Sequence, residues 1–323
     1  MREALRPKVV EDRRSMAMKY RRFAPLEREL SLLVLGTDVF TRWDDQGECF
    51  ALLDAWAEVG GNVIDTGRQY GHAERVVGEW LRARGLRESV MVLTKVGHPD
   101  EDTWESRLSR GAVTREIRES LAELDLETID LLMLHRDDEN VPVAALIETL
   151  NEERNAGRIG AFGASNWTST RIAAANAHAR ECGLEPFTCA SPALSLAEWI
   201  QPPWRGCVSA HDQQSREFYT REQLPLFAWS AQARGYFAGN RSEETRRTYG
   251  GAANAERLAR TEKLGAEKGA TATQVALAWV LAQPFPVHAL IGPETTQELY
   301  SSVDALSIEL TSADLAWLNL EGE

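Results

Sequence analysis

Short apolar runs alternate with amphipathic helical segments from about residue 32 to the end of the chain, and this rhythm leaves few folds open. The strand candidates are Leu32–Gly36, Asn62–Thr66, Val90–Lys95, Ile129–His135, Ile159–Ala164, Thr188–Ser191, Pro225–Trp229 and Val287–Ile291. Helical patterns fill the gaps at 48–59, 73–84, 112–124, 142–155, 168–181, 214–222, 256–268 and 272–282. In Thr114–Leu124, for instance, Ile117, Leu121 and Leu124 share one face while Arg115, Glu119 and Glu123 lie elsewhere. Strand-helix units of roughly 30 residues imply parallel strands joined by right-handed crossovers. Eight such strands without a break predict an α/β chain of the (β/α)8 TIM-barrel class, a single domain. An open doubly wound sheet is the runner-up, but it would carry G-x-G-x-x-G after its first strand. Here that strand runs into "LVLGTDVF", with one glycine.

Two stretches are too long for ordinary strand-to-helix connections: 192–213, rich in Pro and Trp, and 231–254, rich in Gly and Arg. Both leave C-terminal strand ends, where barrels build their sites. The net charge of −13 argues against nucleic acid or an anionic membrane surface as a partner. No apolar run approaches the ~20 residues that span a bilayer. Cys49, Cys182, Cys189 and Cys207 have no metal-ligand rhythm, so free thiols in a reducing cytoplasm are expected and no metal is predicted. Residues 1–17 are Arg-rich without the apolar core of a secretory signal. They are expected to be a mobile extension before a barrel at 18–323, with Met18 an alternative start.

Three consecutive strand candidates end on ionisable groups: "NVIDT" on Asp65, "MVLTK" on Lys95 and "DLLMLH" on His135. A parallel barrel gathers such ends at one face, with Tyr70 on the loop just beyond Asp65. A buried Lys or Asp is costly alone, and a Lys95–Asp65 pair relieves both. An ammonium beside a phenol is expected to lower the Tyr70 pKa towards neutrality. Tyr70 could then pass a proton to or from an alkoxide, with His135 bonding the same oxygen. That chemistry serves carbonyl reduction or alcohol oxidation with a hydride partner. No Ser or Cys nucleophile elbow accompanies it, and a metal-dependent hydrolase would need a His and carboxylate ligand set that is lacking.

These words bring a resemblance with them. "IDTGRQYG", "LTKVG" and "LLMLH" resemble the motifs of the aldo-keto reductases, and the likeness runs from "MKYRRF" to "LAWL". It implies a soluble, bacterial NAD(P)(H)-dependent oxidoreductase in which Asp65, Tyr70, Lys95 and His135 are the catalytic tetrad. "FGASNW" resembles the family's "GVSN" segment, which implies carboxamide contacts from Ser165 and Asn166. "FAWSAQARGYFAG" resembles the stretch that crosses the cofactor pyrophosphate, implying Ser230, Gln232 and Arg234, with Trp229 stacked on the nicotinamide. Ser191 stands where the family usually has a Gln, so a water bridge or a shifted carboxamide is expected. The segment "IGPETTQELYSS", with Gly292, Glu294, Glu298 and Ser302, falls where the adenosine ribose is read. No basic residue occurs from Ile291 to Ser302, where NADPH-preferring members often carry one to pair with the 2′-phosphate. NAD(H) or dual use is therefore expected.

The resemblance further implies a small-molecule carbonyl or sugar-like substrate and a monomer or weak homo-oligomer. Trp43, His98, Arg136, Asp137, Trp167 and the Trp199–Trp204 loop are substrate-pocket candidates. Arg68 either adds charge near the pocket or faces solvent. The rival reading is a cofactor-binding regulatory subunit on the same fold, like the potassium-channel β subunits of this family.

Overall fold

A computed structural model describes residues 18–321, so the expected extension at 1–17 lies outside the described residues. Two antiparallel strands, β1 (Tyr20–Phe23) and β2 (Arg28–Ser31), come first. Eight parallel strands then close a barrel: β3 (Leu33–Gly36), β4 (Val63–Asp65), β5 (Met91–Val96), β6 (Ile129–Leu134), β7 (Ile159–Ser165), β8 (Ala190–Ser191), β9 (Leu226–Ala228) and β10 (Val287–Ile291). β10 pairs back onto β3, and every barrel pairing is parallel. All eight strand candidates coincide with these strands, and each helical pattern overlaps a helix. The β1–β2 hairpin and the short helices Glu243–Tyr249, Thr296–Asp304 and Ser312–Leu318 carry too few periodic residues to have stood out in the sequence.

Side chains alternate along each strand, which divides the apolar residues into two cores. Val63, Met91, Leu93, Leu131 and Met133 point into the lumen, while Ile64, Val92, Leu132 and Leu134 face the surrounding helices. The hairpin closes the N-terminal end of that lumen. Phe23 and Leu30 join the inner core, the Phe23 ring meets Phe227 edge-on at 5.9 Å, and Arg21 bonds the Val287 carbonyl at 2.9 Å. Only the C-terminal end is left for chemistry.

Outside the barrel, the helices Ala73–Arg84 and Arg110–Leu124 touch backbone to backbone. A β-carbon on Gly78 would come within 2.2 Å of the Leu124 carbonyl oxygen, so only glycine permits this approach. The 192–213 stretch is irregular up to residue 212, and its last residue, Gln213, begins a helix. It is pinned beside β8 and β9 by bridges from Ala193 to Ser209 and Trp229.

Candidate active site

The same alternation carries Asp65, Lys95 and His135 inward. Each continues the inner-facing series of its strand, Val63 before Asp65, Met91 and Leu93 before Lys95, Leu131 and Met133 before His135. The register pairs Asp65 with Leu93 and Lys95 with Met133, so the three step upward around the wall. All three are buried.

Lys95 is the hub. Its Nζ donates to Asp65 Oδ1 at 2.5 Å and to the Thr66 carbonyl at 2.9 Å, and lies 3.3 Å from Tyr70 Oη. The loop bearing Tyr70 is fixed by backbone bonds, Arg68 N–H to the Lys95 carbonyl at 2.9 Å and Tyr70 N–H to Gly67 at 2.8 Å. The Arg68 side chain turns to Glu119 at 3.2 Å, so its charge is neutralised on the Arg110–Leu124 helix. His135 meets the Tyr70 ring edge-on at 5.7 Å, and its buried Nδ1 has no partner.

Burial dominates the electrostatics and corrects one expectation. The Tyr70 phenol is pushed up to about 12, because desolvation outweighs the lowering by Lys95. Burial lifts the Asp65 carboxyl to about 6 against the pull of Lys95. Lys95 is nonetheless held above its ordinary value: burial opposes its charge, but Asp65 and Tyr70 together prevail. His135 is held well below the usual imidazole range by burial, then by Lys95, Arg136 and His98, and is neutral near pH 7. The arrangement is a neutral phenol and a neutral imidazole over a charged lysine.

Two neighbours were not read from the sequence as parts of the site. Asp38, just past β3 in "LGTD", raises both Asp65 and Tyr70. An acid two residues beyond a strand tip was the available signal. Glu116 accepts from the Gly97 N–H at 2.7 Å and anchors the backbone beyond Lys95. Nothing in its helical position advertised that.

The residues matched to cofactor segments form a connected wall. Ser165 Oγ donates to the Ser191 carbonyl at 3.0 Å, and Asn166 Nδ2 bonds Ser165 Oγ at 3.0 Å and the His135 carbonyl at 3.2 Å. Ser191 Oγ is spent on the Phe227 carbonyl at 2.7 Å. Trp229 leaves β9 with its buried Nε1 unpartnered, and Trp199 and Trp204 lie at 5.5 and 6.2 Å from its ring. Beyond it the backbone is left-handed at Ser230, Ala233 and Arg234 (φ 52°, 49° and 52°), a run that non-glycine residues adopt only under strain. Gln232 bonds Ser302 at 3.0 Å, and Arg234 pairs with Glu244 at 2.9 Å. Past Gly292, Glu298 accepts from the Glu294 N–H at 2.7 Å, and the Glu294 carboxylate holds Arg42 at 2.6 Å.

The substrate-pocket candidates divide. His98 packs against His135 at 4.9 Å and against Trp104 at 6.1 Å. Trp43 packs on Phe40. Trp167 is a core residue, fully buried against Phe187 with its indole N–H on the Arg136 carbonyl at 3.2 Å. Asp137 is bound to Arg171 at 3.0 Å.

The chain is similar to proteins named as reductases and dehydrogenases. The norsolorinic acid reductase stcV of Emericella nidulans is 29% identical over 82% of this chain and 70% of its own length. The aryl-alcohol dehydrogenase GME11368 of Pestalotiopsis microspora is 27% identical over 94% of this chain and 82% of its own. Both are fungal, so these relatives lend nothing to the expected bacterial source. In fold, the chain is similar to the crystal structure of a protein provisionally assigned as a 2,5-diketo-D-gluconic acid reductase B. That match has a TM-score of 0.72 at 23% identity and covers 95% of this chain and 92% of the other. A profile of the Aldo/keto reductase family matches residues 32–319, nearly the whole barrel, and the chain belongs to that family.

Proposed function

We propose that this chain is an NAD(P)(H)-dependent reductase that interconverts aromatic aldehydes or ketones with their alcohols. The observation that carries this reading is Lys95 Nζ, held by Asp65 at 2.5 Å and within 3.3 Å of the Tyr70 hydroxyl, beside a neutral His135. A carbonyl oxygen entering this pocket accepts from Tyr70 Oη–H and from the imidazole. As negative charge grows on that oxygen, Tyr70 gives up its proton and Lys95 stabilises the phenolate left behind. Asp65 keeps the ammonium charged and aimed. A raised phenol suits the donor role, since Tyr70 stays protonated until the substrate oxygen becomes basic.

The wall of Ser165, Asn166, Ser191 and Trp229 fits a nicotinamide, and the Ser230–Arg234 loop and the Gly292–Ser302 segment fit the rest of a dinucleotide. The indole face can stack on the ring, and the unpartnered Trp229 N–H can still donate. Such a cofactor supplies the hydride. Because the side chains of Ser165, Asn166 and Ser191 are taken up by bonds to one another and to neighbouring backbone, we assign them to framing the ring. With Arg42 tied to Glu294, and with Glu298 close by, the ribose end favours a free hydroxyl over a phosphate, hence NAD(H) or dual use. The name of the Pestalotiopsis relative, an aryl-alcohol dehydrogenase, and the three neighbouring indoles support an aromatic substrate.

The test is turnover of a benzaldehyde panel in both directions with both cofactors. Tyr70→Phe should keep cofactor binding and lose at least about 100-fold in kcat. Tight cofactor binding with negligible wild-type turnover would replace this reading with the regulatory-subunit alternative.

A further inference from the structure

Two arginines are buried among the described residues, and they differ in what answers their charge. Arg257 bonds the Glu198 carboxylate. Arg136, directly after His135, has only neutral acceptors among the described residues. Its Nη1 donates to the His135 carbonyl at 3.1 Å, Nη2 reaches Cys207 Sγ at 3.6 Å, and the buried Nε has no partner. The nearest acids in sequence are spent elsewhere, Asp137 on Arg171 and Asp138 on Asn140. Cys207 does not supply the missing negative charge, since burial pushes its thiol up. A buried guanidinium without a counter-ion is costly, and a fold that only needed a brace would be served by a neutral side chain.

The position of this charge gives it a use. Gly206 (φ +71°) brings the long loop onto it, and a β-carbon there would lie 3.5 Å from Arg136 Cδ and 3.3 Å from the Trp104 ring. Trp104 leads through His98 to His135, ring to ring, so Arg136 belongs to the wall that ends at the catalytic imidazole. Trp104 also lines a cavity of about 360 Å³, together with Gly97, Ser106, Arg205 and the two committed aspartates.

We infer that Arg136 is a specificity-determining residue that pairs with a carboxylate on the substrate, so that carboxylated aromatic carbonyl compounds are preferred over neutral ones. The guanidinium fork matches a carboxylate in shape, and the pair would meet in a site largely closed to water. This inference rests on the carbonyl-reductase reading above.

Its test compares 3- and 4-formylbenzoate with their methyl esters as substrates of the wild type, Arg136→Met and Arg136→Lys. The wild type should favour at least one acid over its ester by about tenfold or more in kcat/KM. Arg136→Met should erase that ratio mainly through KM for the acid, and Arg136→Lys should keep part of it. A wild-type preference for both esters, or an acid preference that survives Arg136→Met, overturns the inference. Binding is read separately, by tryptophan fluorescence with excess NAD⁺ present. Tighter binding of an acid than its ester, lost in Arg136→Met, upholds the inference even if no aldehyde is turned over, in which case only the reductase reading fails. Equal acid and ester affinity overturns the inference whatever the turnover.

Discussion

Lys95 Nζ lies 2.5 Å from Asp65 Oδ1, and the two side chains keep only 3% and 4% of their surface in contact with solvent. Neither charge is tenable there without the other. Lys95→Met should therefore cost about 3–5 kcal/mol of folding stability, because it strands a buried carboxylate. The double variant Asp65→Asn/Lys95→Met should lose less than the sum of the single losses, with a coupling of about 1–3 kcal/mol. Urea denaturation of all four proteins measures this. Strictly additive losses would show that the pair is not energetically joined.

The Tyr70 phenol, pushed up to about 12 by burial, must stay protonated throughout the neutral range. A raised phenol pKa means that tyrosinate forms only as the pH climbs towards that value. The wild-type minus Tyr70→Phe ultraviolet difference spectrum of the cofactor-free protein should then show no tyrosinate signal below pH 10. A signal near pH 7–9 would restore the lowered phenol that Lys95 alone would produce.

Glu294 holds Arg42 in an ion pair exposed by 57–60% at its two ends, close to the segment matched to the ribose reader. Glu294→Gln should release the guanidinium to a 2′-phosphate. The kcat/KM ratio of NADPH to NADH should then rise about fivefold, in keeping with the modest worth of an exposed pair. Adding Arg42→Ala should take the gain away. A ratio unmoved by Glu294→Gln places the adenosine end elsewhere.

Gly78 sits where the Ala73–Arg84 helix meets the Leu124 carbonyl, 2.2 Å from the point a β-carbon would occupy. Although alanine is the better helix former by about 1 kcal/mol, Gly78→Ala should destabilise the protein by about 1–3 kcal/mol, because the two helices must separate. Thermal unfolding decides it, and an unchanged or raised Tm would mean that the contact yields freely.

Much of this was legible in the chain alone, because it depends on short-range periodicity. Apolar runs and helical patterns placed all eight barrel strands, and the ionisable residues ending three of them placed Asp65, Lys95 and His135 at one face. The hairpin was missed because β1 and β2 are four-residue strands whose apolar residues, Phe23 and Leu30, only acquire meaning as a plug for the lumen.

What the tertiary structure alone decided are the quantities that depend on distance and burial. From residue types, Lys95 beside Tyr70 should yield an acidic phenol; the depth of the pocket reverses the sign, since desolvation exceeds one favourable charge. Trp167 looked like a pocket residue and is packed into the core against Phe187. Arg68, left open between pocket and solvent, is paired with Glu119, and Asp137 borders a cavity but is paired with Arg171. Arg136, read beside Asp137 in the sequence, proves to have no acid of its own among the described residues. Residue types and spacing determine which groups a barrel gathers at its open end. Only their packing decides which of those charges are cancelled and which are left to meet a ligand.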